Sequence, residues 1–290
     1  MPTLDEIRRR HPDIGADFTI PQRWERYGAD EHGIWRTLFE RQARVLPELA
    51  CREFLDGLDQ LNLVPDHIPD FERLSEQLSQ LTGWRVVAVP SLVPDDVFFE
   101  HLANRRFPAG QFIRKPEQLD YIEEPDVFHD VFGHVPMLAH PVFADYMEAY
   151  GKGGRRALSE FGALKNLARL YWYTVEFGLI EQKDGLRIYG SGIVSSSAES
   201  VYAVESPTPN RIGFDLERVM RTEYRIDDFQ ESYFVISSFE ELFAETTKDF
   251  AALYAKLASG RTHKPGDLLA GDRVLTRGTH AYRAGSHAVI

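Results

Sequence analysis

The chain is 290 residues long, 43% hydrophobic and 27% charged, enough for one large domain or two small ones with a substantial core. Its formal charge is −12, with acidic residues spread along the sequence. This argues against nucleic acid and against an anionic membrane surface, which are bound through Lys and Arg, and leaves small molecules as the expected partners.

Residues 1–25 carry Pro2, Pro12 and Pro21 and no sustained period, so they read as an irregular lead. The charged Asp5–Arg10 stretch has no apolar run behind it, so no secretory signal is expected and the cytoplasm is the default location. From about Asp30, helical spacing sets in with Ile34, Trp35, Leu38, Phe39 and Leu46, and continues through Leu55, Leu58 and Leu61. Cys51, within this stretch, is the only cysteine and excludes an intramolecular disulfide. Pro69-Asp70 opens a helix with Phe71, Leu74, Leu78 and Leu81 on one face, stopped by Gly83.

Trp84–Val89 reads as a short strand, and Pro94-Asp95-Asp96 starts a helix through Leu102. Phe107–Arg114 and Leu186–Tyr189 are further short strands; Leu167–Ile180 is an apolar helix and Phe239–Leu257 an amphipathic one. No apolar run approaches the roughly 20 residues that span a bilayer. From Gly260 the periodicity fades, so 260–290 reads as an extended or mobile tail. The expected fold is mostly α with small β elements, with neither βαβ alternation nor a Gly-rich phosphate loop.

Chemistry concentrates in EEPDVFHDVFGHVPML, Glu123 to Leu138. His129 and His134 are five residues apart, about 140° from one another on an ideal α-helix, and would not share a face. Gly133 and Pro136 tolerate irregular backbone, and a wider π-type turn would bring the pair together. This is not the HExxH spacing of zinc proteases. Histidines so spaced also occur as caps, surface residues or satisfied core groups. Glu176 lies in LARLYWYTVEFGLI, where an unpaired buried carboxylate would be costly and a cation would offset the cost. A solvent-facing position on an amphipathic helix is the alternative. Two imidazoles and one carboxylate are the ligand set of non-haem Fe(II) oxygenases, which leaves coordination positions open.

The segments PDVFHDVFGHVP, LYWYTVEFGL and YGSGIVSSSAE, in that order, resemble the tetrahydropterin-dependent aromatic amino acid hydroxylases over roughly Trp84 to Leu257. The likeness is strongest to the single-domain bacterial branch that hydroxylates phenylalanine at the 4-position. The resemblance implies a single compact catalytic iron and pterin domain, here 26–259. It implies His129, His134 and Glu176 as the iron ligands, and a tetrahydropterin consumed as cosubstrate with O₂. Arg114 falls on the arginine that binds the substrate carboxylate, with Asp126 orienting it. Trp172, one helical turn before Glu176 on the same face, is placed to wall an aromatic pocket near the metal, a core position being the alternative, and Ser195 matches a substrate-binding serine. Phe98 corresponds to the ring on which the pterin stacks, with Phe99 beside it as a rival register. Asp130 matches an acidic residue near the pterin, and Tyr171 a tyrosine beside the iron, grouped with the cofactor contacts.

Ile122 departs from the pattern, standing where animal members carry a substrate-contacting threonine, and Asp130 stands where they carry Glu. Their regulatory domain and tetramerisation helix have no counterpart, so a monomer or small oligomer is expected. Trp172, and Val235 where tyrosine hydroxylases carry Asp, favour L-phenylalanine as substrate and L-tyrosine as product. The alternatives are a tyrosine or tryptophan hydroxylase of the same family, a zinc hydrolase, and a non-catalytic metal or amino-acid sensor.

Overall fold

In the computed structural model, which describes residues 4–258 and 260–279, helices carry most of the chain and the strands are short. The helix Phe71–Thr82 shows how the local signals act. The Asp70 carboxylate accepts from the Glu72 N–H at its start, and Gly83 ends it in the left-handed region at φ 78°. Phe71, Leu74 and Leu78 are buried on its inner face, and Ser75 Oγ bonds the main chain of Val86 in the adjoining strand.

Two compact units emerge. The first contains the chain up to Arg41 together with Asp56–Arg155. Here β1 (Arg85–Val89) pairs in parallel with β2 (Arg106–Gly110), and the helix Asp95–Ala103 makes the crossover. This is a βαβ unit, which the sequence reading did not anticipate. Both strands are largely buried, so RVVAV and RFPAG lack the alternation that marks a half-exposed strand. Close packing next to the histidines depends on a glycine. A Cβ on Gly57 would lie 2.2 Å from the carbonyl oxygen of Pro136, two residues after His134.

The second unit contains Gln42–Leu55 and the chain from Arg156 onward. It holds β3 (Leu179–Gln182), β4 (Gly185–Ile188), β5 (Asn210–Gly213), β6 (Ser232–Ile236) and β7 (Val274–Thr276). They form one sheet in the order β4-β3-β6-β5-β7, parallel at β3/β6 and β5/β6 and antiparallel at both edges. All five residues of β6 are buried, and Val235 pairs with Leu179 on one side and Gly213 on the other.

Several expected elements are revised. The expected strand to Arg114 ends at Gly110, after which the Phe112 carbonyl accepts from Val127 N in an irregular loop. The expected helix Leu167–Ile180 is α-helical only over Leu164–Tyr171, becomes a π-helix over Trp172–Glu176, and gives way to β3. The expected helix Phe239–Leu257 is two, Phe239–Thr246 and Ala251–Ala258, the second begun by Asp249 accepting from Ala251 N. The lead, expected to be irregular, holds a seven-residue helix, Leu4–Arg10. Residues 280–290 of the expected tail lie outside the described residues, and β7 falls in its described part. No helix among the described residues is long and apolar enough to cross a membrane.

Candidate metal centre

His129 and His134 lie on a π-helix, Phe128–His134. Each π turn takes in one residue more than an α turn, so a residue and its fifth successor come to lie nearly one above the other. Their Nε2 atoms stand 3.3 Å apart. Cis ligands about 2.1 Å from a metal are themselves about 3 Å apart, so this separation fits a shared cation. The opposite face of the helix is anchored in the core. Phe128 and Phe132 stack at 4.7 Å, Phe128 meets Trp35 edge-on at 5.3 Å, and Phe132 meets Phe39 at 5.2 Å. His134 is buried with its ring 4.8 Å from that of Phe107 on β2.

Just before the π-helix, Asp126 gathers four donors. Arg114 Nε and Nη2 reach its two oxygens at 2.8 Å each, a bidentate fork, and Arg114 N adds a bond of 2.9 Å. His129 N donates to Oδ1 at 3.0 Å, so the carboxylate also caps the helix that carries the first ligand. Arg114 and Asp126 are 6% and 0% exposed. Burial pushes the Asp126 carboxyl up, but the guanidinium and the two backbone N–H groups outweigh it and hold it below the usual carboxylate range. Arg114 Nη1 has no hydrogen bond among the described residues and remains a donor for a ligand carboxylate. The guanidinium carbon lies 5.9 Å over the Phe128 ring.

Glu176 closes the second π-helix, Trp172–Glu176. Its Oε2 lies 2.9 Å from Ser191 Oγ, which also reaches the Val175 carbonyl at 3.0 Å. Two glycines make room for this crossing of chain segments. A Cβ on Gly190 would lie 2.5 Å from the Glu176 carbonyl oxygen, and one on Gly178 would lie 2.1 Å from the Tyr189 ring. One ligand atom each from His129, His134 and Glu176 lie within 4.8 Å of one another. Two ring nitrogens and a carboxylate oxygen, gathered so closely, match the facial triad of non-haem iron.

On the helix Asp95–Ala103, Phe99 is buried against Tyr150 and Gly154, whereas Phe98 is half-exposed; only Phe98 can offer a ring face to a ligand. Asp130 Oδ2 accepts from Gly110 N at 2.7 Å, which ties the π-helix to the end of β2. Ile122 is half-buried in the loop before Asp126. Tyr171 and Trp172 are half-buried, and the Trp172 indole stacks on Tyr224 at 4.3 Å and donates from Nε1 to Gln230 Oε1 at 3.0 Å. Ser195 Oγ donates to the Ser191 carbonyl at 2.7 Å. Sequence reasoning missed Ser191 and Gln230. Ser191 lies in the same motif as Ser195, directly after Gly190, and only the fold distinguishes which hydroxyl reaches Glu176.

A family model described as biopterin-dependent aromatic amino acid hydroxylase matches residues 6–259. The phenylalanine-4-hydroxylase of Caulobacter vibrioides is 65% identical over 271 residues, covering 93% of this chain and 92% of its own. That of Chromobacterium violaceum is 58% identical, covering 90% and 88%. A crystal structure of the Chromobacterium violaceum enzyme with iron and phenylalanine bound matches 94% of this chain and 100% of its own, with TM-score 0.88 and 55% identity. Another, with oxidised Fe(III) bound, covers 95% of this chain and 100% of its own, with TM-score 0.89 and 56% identity.

Proposed function

The chain belongs to the biopterin-dependent aromatic amino acid hydroxylases, and on that footing we propose that it converts L-phenylalanine to L-tyrosine with O₂ and a tetrahydropterin, at ferrous iron held by His129, His134 and Glu176. The convergence of those three ligand atoms is the observation that carries the reading. When bound, the iron and the reduced pterin supply oxygen activation, the pterin contributing two electrons in each turnover.

The chain's own residues supply position and polarity. The imidazoles of His129 and His134 offer neutral nitrogen lone pairs, and Ser191 orients the Glu176 carboxylate. Arg114, its fork set by Asp126, pairs with the substrate carboxylate through the edge that Asp126 leaves open. Trp172 walls the ring pocket, with Ser195 and Ile122 as further substrate contacts. Val235, apolar and buried in β6, suits a ring without a hydroxyl. Phe98 presents the face on which the pterin stacks, with Asp130 and Tyr171 as its other contacts. No side-chain nucleophile takes part.

We take 26–259 as the catalytic domain, with 1–25 as its lead and 260–290 as its tail; the family match over residues 6–259 supports the C-terminal edge and runs on into the lead. We place the protein in the cytoplasm, as a monomer or small oligomer. The test is anaerobic loading with Fe(II), then aerobic turnover with a tetrahydropterin and phenylalanine, tyrosine or tryptophan in separate reactions. Tyrosine from phenylalanine, dependent on both iron and pterin, is the expected result. Dominant product from another amino acid corrects the pocket, and none in any reaction overturns the reading. His129→Ala, His134→Ala and Glu176→Ala should each lose iron; retention of iron and turnover in any of them removes that residue from the ligand set.

A further inference from the structure

Trp172 is clamped from more than one side, and the clamp differs in kind from side to side. Its indole stacks on Tyr224 with centroids 4.3 Å apart and planes 15° apart, and lies against Phe177 at 4.7 Å and 35°. Stacking of this sort fixes the tilt of a ring but permits it to slide in its own plane. Among the described residues, its one directional contact is the hydrogen bond from Nε1 to Gln230 Oε1 at 3.0 Å.

Gln230 is built to hold that acceptor in place. It is 2% exposed, and its Nε2 donates to the carbonyls of Arg225 at 3.0 Å and Asp228 at 3.4 Å. Turning the amide over would set its NH₂ against the indole N–H and its oxygen against two carbonyls, so only one orientation satisfies every partner. The residue's backbone is tied down as well. Gln230 N lies 3.4 Å from Glu199 Oε1, the same oxygen that accepts from Tyr233 on β6 at 2.8 Å. The side chain thus connects the tied-down loop just ahead of β6 to a half-buried tryptophan.

We infer that Gln230 is the positioning residue that sets where the Trp172 indole lies in its plane, and through it the fit of the substrate's aromatic ring. This rests on the reading of Trp172 as a pocket wall. Gln230 touches neither substrate nor cofactor; it acts by denying the indole the slide that stacking alone would allow.

A double-mutant cycle tests this on the iron-loaded full chain, with kcat and KM for phenylalanine measured alongside tyrosine formed per pterin oxidised. Gln230→Leu should raise KM about fivefold, the size of one neutral hydrogen bond, with a smaller change in kcat and less tyrosine per pterin. Trp172→Phe, which removes the N–H but keeps a ring, should also raise KM. In the Trp172→Phe background, Gln230→Leu should then change KM less than twofold. Equal effects in both backgrounds, or no effect on KM in the wild-type background, overturn the inference. If Trp172→Phe alone leaves KM unchanged while the wild type makes tyrosine, the pocket-wall reading fails and the hydroxylase reading stands. Should Gln230→Leu not fold, as judged by circular dichroism and retained iron, Gln230→Met gives the same comparison at nearly unchanged volume.

Discussion

Asp126 and Glu199 are both buried carboxylates, each within its own unit, and their environments drive them in opposite directions. Asp126 is met by a guanidinium fork and two backbone N–H groups, which hold it ionised against the penalty of burial. Glu199 is met by one phenol and one long amide contact, with no cation among the described residues, so burial pushes its carboxyl up to about 8. The lesson is that burial alone does not set the charge of an acid; the donors around it do. One acid anchors the arginine proposed to hold the substrate, and the other a neutral network behind the proposed pocket wall.

The comparison breaks most severely at Asp126. Asp126→Asn leaves the Arg114 charge buried without its partner, and should cost about 3–5 kcal/mol in stability along with affinity for phenylalanine, read by urea unfolding and by KM. The same ion pair gives an acid-side signature. Because the folded pKa of Asp126 lies below 3.8, its stabilising contribution is in place above that pH and is lost as pH falls further, and Asp126→Asn should remove that part of the acid dependence.

Glu199 predicts the opposite slope. Its folded pKa is raised, so its contribution is fully present below 4.5, erodes as pH rises, and is gone above about 8. Glu199→Gln should flatten stability across that window by a few kcal/mol, measured as the urea midpoint against pH. An unchanged profile would show that Glu199 is already ionised at neutral pH.

Arg114→Lys keeps the charge but loses the planar fork. It should raise KM for phenylalanine by the equivalent of about 1.5–3 kcal/mol, with iron retained. An unchanged KM would reassign Arg114 to a purely structural role. The smallest effect is expected from Tyr233→Phe, which removes one donor from Glu199 and should cost about 1 kcal/mol in thermal unfolding.

Much of the histidine side of the site was legible, because spacing and local composition act within a few residues. The five-residue spacing of His129 and His134, with Gly133 and Pro136 nearby, asked for a π-type turn, and that turn is present. Glu176 drew notice because its neighbours are apolar. The link between Arg114 and Asp126 came only through family resemblance, since nothing in QFIRK says that a residue twelve positions later will meet it. Ser191 and Gln230 were invisible for the same reason: a hydroxyl and an amide mean little until the fold gives them a partner. The strands β5 and β6 were lost because both are buried throughout, and such strands show no period. The break of the expected helix after Glu176 depends on Gly178 and Gly190, whose close approach is a tertiary demand.

Asp126 has one further consequence. The same carboxylate bonds Arg114 and the backbone of His129, so the arginine proposed to hold the amino acid and the seating of a proposed metal ligand share a node. Thermodynamic linkage then imposes reciprocity: whatever factor phenylalanine adds to the protein's hold on iron, iron must return to its hold on phenylalanine.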